Sequence, residues 1–232
     1  MSKKKNESFD LDQKMGEEIS RVDHFLQKNK KVLSIVLGAV VVIVAGFVGF
    51  KEFIIKPQEK EAQELIFRMQ KYFEVDSFLT VVNGTDEFPG AVEIADDYAW
   101  TKSGNLAAYY AGISYLQLGE YEDAIDYLKK FKSKDMLFKP LALGATGDAY
   151  SELGELEKAA SYYMKAAKFS KNEFTAPYFL KKAAQHFEEL KEFEKATSAY
   201  EEIRAKYKDA PEAVDIDKFI NRARAGMNAF VF

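Results

Sequence analysis

Hydrophobic positions along this chain obey two rules, one confined to a single stretch and the other spread over the C-terminal three-quarters. Val32 to Phe50 (VLSIVLGAVVVIVAGFVGF) is a run of 19 residues without a charge, close to the ~20 that a helix needs to cross a bilayer. A cleavable signal would carry a shorter apolar core nearer the start, followed by small residues at a cleavage site. The run is therefore expected to be a retained transmembrane helix. From residue 58 onward the apolar positions instead recur every three or four residues, the spacing of amphipathic helices.

Within that second region the pattern repeats. Gly112, Tyr115, Leu118, Gly119, Tyr121 and Ala124 align with Gly147, Tyr150, Leu153, Gly154, Leu156 and Ala159 at a constant offset of 35 residues. A third copy follows 37 residues on, at Ala184, Phe187, Leu190, Phe193, Ala196 and Tyr200, with Lys191 in place of the turn glycine. Each copy reads as two antiparallel helices, with Gly112 and Gly147 allowing the first helix to approach the second and Tyr115 and Tyr150 filling the space between. The Leu-Gly-Glu turns at 118–120 and 153–155 end the first helix, glycine being suited to a left-handed cap. Ala124, Ala159 and Ala196 leave room for close packing of the second helix.

This pattern is similar to the tetratricopeptide repeat, with a period one residue longer than the usual unit. The fold class expected is all-α: a single N-terminal transmembrane helix followed by a helical-hairpin solenoid with a C-terminal capping helix. The segments are residues 1–31, a cytoplasmic tail; 32–55, a signal-anchor helix; 57–103, a linker helix and degenerate helical repeat; 104–210, three repeats at about 105–138, 140–174 and 177–210; and 211–232, a cap. In the degenerate unit, Gln58–Phe73 and Phe88–Trp100 read as helices separated by turns at Asn83-Gly84 and Pro89-Gly90. Pro211 reads as the first turn of a capping helix running to about Ala225.

Charge adds an orientation. Lys3, Lys4, Lys5, Lys14, Arg21, Lys28, Lys30 and Lys31 precede the apolar run, against Lys51, Lys56 and Lys60 just after it. The positive-inside rule then puts the tail in the cytoplasm and the repeats outside it, in the periplasm of a bacterial cell. Leu11, Met15, Ile19, Val22 and Leu26 recur at helical spacing in the tail. Ser34, Gly38, Ala45 and Gly49 place small residues on one face of the membrane helix, where a second helix, including one from a second copy, could dock. From Pro57 onward 23 Lys and Arg face 30 Asp and Glu, a net charge of −7, the wrong sign for binding a phosphate backbone. Nucleic acid is not an expected partner.

The inventory for chemistry is thin. With no cysteine and only His24 and His186, thiolate chemistry, a His-based metal centre and a catalytic triad have no material. Asp96-Asp97, Glu188-Glu189 and Glu201-Glu202 are adjacent pairs that diverge by about 100° on a helix and read as solvated faces. No glycine-rich loop opens a helix after a strand, so no nucleotide site is expected. The chain reads as a non-enzymatic protein without a cofactor.

By register with the tetratricopeptide family, the concave wall would carry Tyr109, Ile113 and Gln117, then Asp148, Ser151 and Glu152, then Lys181, Gln185, Glu188 and Glu189. Such a wall binds segments of other proteins. The order of parts resembles the ancillary Sec translocon subunit family of bacteria (YfgM type). That resemblance implies a single-pass inner-membrane protein associated with Sec translocon subunits and a membrane-anchored periplasmic chaperone, assisting exported clients. A scaffold for another envelope complex, in outer-membrane protein insertion, secretion or division, would have the same outline.

Overall fold

A computed structural model describes residue 24 and residues 26–229; most of the basic tail, with Leu11, Met15, Ile19 and Val22, lies outside the described residues. The chain divides into two units, with the boundary between Lys56 and Pro57. The first contains α1 (Lys30–Phe50) and a π-helical turn (Lys51–Ile55). Helix α1 is long and apolar enough to span a membrane, and none of its residues is buried against protein. Its backbone hydrogen bonds are closed within the segment, as hydrocarbon requires.

The second unit opens with α2 (Lys56–Phe73), whose Ala62, Ile66 and Met69 are buried at helical spacing. A short α3 (Phe78–Asn83), a two-residue hairpin of β1 (Gly84–Thr85) and β2 (Phe88–Pro89), and α4 (Ala91–Asp97) follow. The helix read over Phe88–Trp100 is thus shorter at both ends. Gly84 takes φ +76°, turning the chain so that Thr85 pairs with Phe88 in an antiparallel register. Phe88 then enters the core against Tyr72, ring centroids 5.2 Å apart. These elements share a core with Ala107, Ala108 and Ala111 of the next helix.

Three hairpins follow: α5 (Lys102–Leu118) with α6 (Tyr121–Lys130), α7 (Phe138–Glu152) with α8 (Leu156–Ser170), and α9 (Thr175–Glu189) with α10 (Phe193–Lys206). Gly112 and Gly147 act as their position requires: a Cβ on Gly112 would lie 2.6 Å from Leu128 Cγ, and one on Gly147 2.7 Å from the Tyr163 ring. Tyr115 packs on Tyr127 and Tyr150 on Tyr162, centroids 5.7 and 5.3 Å apart. Ala124, Ala159 and Ala196 are fully buried.

The turns within the hairpins are built identically. Glu120 N donates to Tyr115 O, Glu155 N to Tyr150 O and Glu192 N to Phe187 O, at 2.9, 2.9 and 2.8 Å, which satisfies carbonyls left open at each helix end. Gly119 and Gly154 hold the left-handed position, with φ +80° and +73°; Lys191 holds it at φ +61°. A side chain is strained there and glycine is not. Lys191→Gly is therefore expected to stabilise the third hairpin by about 0.5–1 kcal/mol, the strain relieved exceeding glycine's extra chain entropy. A denaturation midpoint at or below wild type would refute it.

At the C-terminal end, Pro211–Ala213 forms a separate 3-10 turn, and α11 runs Ile216–Ala229. The cap thus starts later and ends later than its proline suggests, because Val214 is extended and Asp215 has φ +59°. Ile216, Ile220 and Ala223 close the core of the last hairpin.

Candidate protein-binding surface

Among the described residues no cluster of His, Asp and Glu could hold a metal ion. Both nitrogens of His186 are engaged, Nε2 with Ser151 Oγ at 2.7 Å and Nδ1 with Lys182 O at 2.9 Å. Its ring lies edge-on to Tyr163, 5.1 Å between centroids. These are packing contacts between neighbouring repeats.

The residues placed on the concave wall divide into three groups. Tyr109 and Ile113 face inward, against the cluster around Leu128, Phe131, Ala142 and Ala145. Tyr109 lies 5.2 Å from the Phe131 ring and 5.7 Å from that of Phe138. Asp148, Ser151 and Glu188 are half-buried and tie one helix to the next. Gln117, Glu152, Gln185 and Glu189 are exposed, while Lys181 lies 4.9 Å from the Phe219 ring centroid. Glu152 Oε2 also lies 3.4 Å from the Tyr121 hydroxyl of the preceding hairpin.

The second group belongs to a polar ladder that the residue pattern alone did not bring out. Tyr127 donates its hydroxyl to Asp96, Tyr163 to Asp148 and Tyr200 to Glu188, at 3.0, 2.7 and 3.0 Å. Each carboxylate also meets a cation: Lys130 at Asp96, Lys182 at Asp148 and Arg222 at Glu188. In every pair the acid precedes the base by 34 residues, close to the repeat period, and that recurrence was the readable signal. Asp96 keeps about half of its side chain exposed although it is paired, whereas Glu188 is not the solvated face expected. The fold brings a tyrosine and a base from neighbouring elements onto each of them, and the Glu188 side chain is only 14% exposed.

Burial and the adjoining carboxylates push the Tyr163 and Tyr200 phenols well above the ordinary tyrosine range. Burial works against the charge on Lys182, yet contact with Asp148 outweighs it and raises that pKa. A raised folded-state pKa stabilises the fold fully below the unfolded value, near 10 for tyrosine, and that contribution disappears as pH climbs through the folded value. Stability is therefore expected to fall on alkaline titration from about pH 10, and less so in Tyr163→Phe/Tyr200→Phe. Denaturation midpoints across pH 8–12 for both proteins provide the check; parallel curves would count against the assignment.

Two concavities adjoin the exposed α9 residues. One of about 700 Å³ lies between α9 and α11 and is lined by Gln185, Glu188, Glu189, Phe193 and Arg222. The other, of about 320 Å³, is lined by Tyr178, Lys181, Lys182, Gln185 and Pro211. A third, of about 630 Å³, opens between the second helices α8 and α10, with Met164, Phe187 and Ala199 among its lining; the family register gave no indication of it. On α1, a Cβ built on Gly38 or Gly49 would meet nothing within 4 Å, and Ser34 Oγ donates to Lys30 O at 2.8 Å. Ser34, Gly38 and Ala45 are exposed and Gly49 is half-exposed.

Residues 106–135, which cover α5, α6 and the start of the following loop, match the tetratricopeptide repeat family. Over 157 residues, 65% of this chain, the sequence is 27% identical to Protein FLUORESCENT IN BLUE LIGHT, chloroplastic, of Arabidopsis thaliana. The match spans about half of that relative's length, 48%. No solved structure matches the chain. A tetratricopeptide repeat within an all-helical array is a scaffold for binding proteins.

Proposed function

We propose that this protein is a membrane-anchored protein-binding module whose repeats capture a segment of another protein along α9 and α11. The observation that carries this is the combination, in one chain, of a helix able to span a bilayer with a repeat array whose two adjoining concavities share Gln185. Their linings mix acidic, basic and aromatic side chains, which suits a peptide that carries both charge and apolar anchors. Anchoring raises local concentration, so contacts that are weak individually can suffice.

In its finer form, the protein is an accessory subunit of the Sec translocon in the bacterial inner membrane. Its N-terminus is cytoplasmic and its repeats are periplasmic, where they work with a membrane-anchored chaperone on exported clients. The order of tail, anchor, linker helix, repeats and cap supports this reading. The face of Ser34, Gly38, Ala45 and Gly49 would dock a neighbouring membrane helix, from the translocon or a second copy. The test is mild-detergent affinity purification of the full-length protein from its own cells, with mass spectrometry of what accompanies it. Recovery of Sec channel subunits and a periplasmic chaperone, lost in Gln185→Ala/Glu189→Ala, supports the reading. Recovery of a different envelope machine overturns the translocon assignment in favour of a scaffold there. Equal recovery by the double variant overturns the α9 surface.

A further inference from the structure

We propose that the edge of the repeat array where α5, α7 and α9 begin rests on the bilayer, seating Trp100, Leu137 and Phe174 among anionic lipid headgroups. This rests on α1 being a membrane anchor. Trp100 stands two residues before α5, and Leu137 and Phe174 immediately before α7 and α9, so each hairpin contributes one large apolar residue at the entry to its first helix. Trp100 and Phe174 are among the most exposed large hydrophobic residues described, at 80% and 86%. Met136 and Phe138 flank Leu137 and are exposed as well.

Hydrogen bonds stitch these sites into one continuous edge. Asn105, in the first turn of α5, donates to Lys132 O and accepts from Lys132 N, at 2.9 and 2.7 Å. Asn172 donates to Met136 O at 3.3 Å. The apolar tips are also held firmly. Asp135 accepts from Leu137 N and Phe138 N at 2.8 and 2.9 Å, and Asn172 accepts from Phe174 N and Thr175 N at 2.9 and 2.7 Å. Capped helix starts present these side chains with little conformational freedom left to lose.

The edge is also bonded to the start of α2. Glu59, in the first turn of α2, accepts from Lys102 N at 2.6 Å, Ser103 N at 3.2 Å and Ser103 Oγ at 2.9 Å.

Charge distinguishes this edge from the opposite one. Its loops and helix ends carry Lys102, Lys132, Lys134 and Lys171 against Glu59, Asp97, Asp135 and Glu173, and the Glu59 and Asp135 carboxylates are each occupied by two backbone N–H groups. The opposite edge, at the turns around Gly119, Gly154 and Lys191, is rich in Glu120, Glu122, Asp123, Glu155, Glu157 and Glu192. In a domain of net negative charge, a basic edge studded with aromatic and aliphatic tips fits a headgroup region, which accepts amphipathic rings and attracts lysine. The acidic edge would then point away from the membrane.

Trp100 is the only tryptophan in the sequence, so it reports on this edge directly. Full-length protein would be reconstituted into phosphatidylethanolamine–phosphatidylglycerol vesicles and Trp100 fluorescence quenched either by lipids labelled near the headgroup or by aqueous iodide. Lipid quenching is expected to be strong and iodide quenching largely lost relative to the urea-unfolded chain. A control probe on the opposite edge, Leu118→Trp in a Trp100→Phe background, is expected to remain open to iodide. Lys132→Gln/Lys134→Gln/Lys171→Gln is expected to restore iodide access at Trp100, each lysine shifting the docked population about five-fold. Protein that floats with the vesicles yet leaves Trp100 as open to iodide as the control overturns this proposal alone, including the case where a protein partner covers the edge. Protein that does not float with the vesicles overturns the anchor reading and this proposal together.

Discussion

Replacing Tyr163 by alanine is expected to destabilise the repeat array by about 3–5 kcal/mol, the range for removing a fully buried aromatic ring. Tyr163 is 1% exposed and sits where three elements meet. Its ring covers Gly147 of α7, lies 6.3 Å from Phe179 of α9 in a stacked arrangement, and meets His186 edge-on. Its hydroxyl donates to Asp148, which is also paired with Lys182. The truncation leaves a cavity that glycine cannot fill and removes one of the two partners that hold that carboxylate. Tyr163→Phe keeps the ring and loses only the hydrogen bond, for about 1 kcal/mol. The comparison separates packing from polar pairing. Because stability in a stacked array is a sum of neighbour terms, lost hydrogen-exchange protection should concentrate in residues 138–229, while the separate core of α2 to α5 stays protected. Denaturation of full-length protein in mild detergent, followed by near-ultraviolet circular dichroism, gives the magnitude. A Tyr163→Ala midpoint within error of Tyr163→Phe would show that the ring is not what holds these helices together.

Gly144→Ala sets two opposing effects against each other. Glycine in a helix interior costs up to about 1 kcal/mol relative to alanine, so propensity alone would make the variant more stable. Against this, a Cβ on Gly144 would lie 2.0 Å from Phe179 Cε1 and 2.2 Å from Cζ. The ring is 3% exposed and already stacked on Tyr163, so it has no empty space to enter. Overpacking of this kind costs about 1–3 kcal/mol, and separating α7 from α9 would extend the damage to the Lys182–Asp148 pair. A net loss of about 1–2 kcal/mol is expected. An increase in stability would mean that the two helices can move apart freely and that the contact does not set the repeat spacing.

Parts of this molecule were legible in the residues because they depend on short-range rules. Val32–Phe50 announces a helix long and apolar enough to span a membrane, by length and by absence of charge, since hydrocarbon tolerates neither unsatisfied backbone nor unpaired ions. Gly112, Gly147 and the Leu-Gly-Glu turns announce helical hairpins because glycine permits close approach at the first two and a left-handed cap at Gly119 and Gly154. Even Lys191 was locatable, as the residue standing where the glycine should be. The boundaries were harder. Phe88 was assigned to a helix, and only the Gly84 turn and the packing of Phe88 on Tyr72 drew it into a hairpin. Pro211 was assigned to the cap, whereas the positive φ of Asp215 separates a 3-10 turn from α11.

The wall residues illustrate the limit. Tyr109 and Ile113 occupy the same register as Gln117, yet the phase at which α5 meets the cluster around Leu128 and Phe131 turns the first two inward and leaves the third exposed. Asp148 and Glu188 look like surface acids in one dimension, and become the centres of tyrosine and cation contacts because the next repeat places Lys182 or Arg222 over them. By itself, then, the sequence determined the long apolar helix, the repeat class and the hairpin turns, all consequences of composition and spacing within a few tens of residues. Which acids are held in the polar ladder, which α9 side chains border open concavities, and that Trp100, Leu137 and Phe174 share one basic edge were decided by the tertiary structure alone. Those properties depend on how successive hairpins stack, and stacking joins residues tens of positions apart, beyond the reach of spacing within one helix.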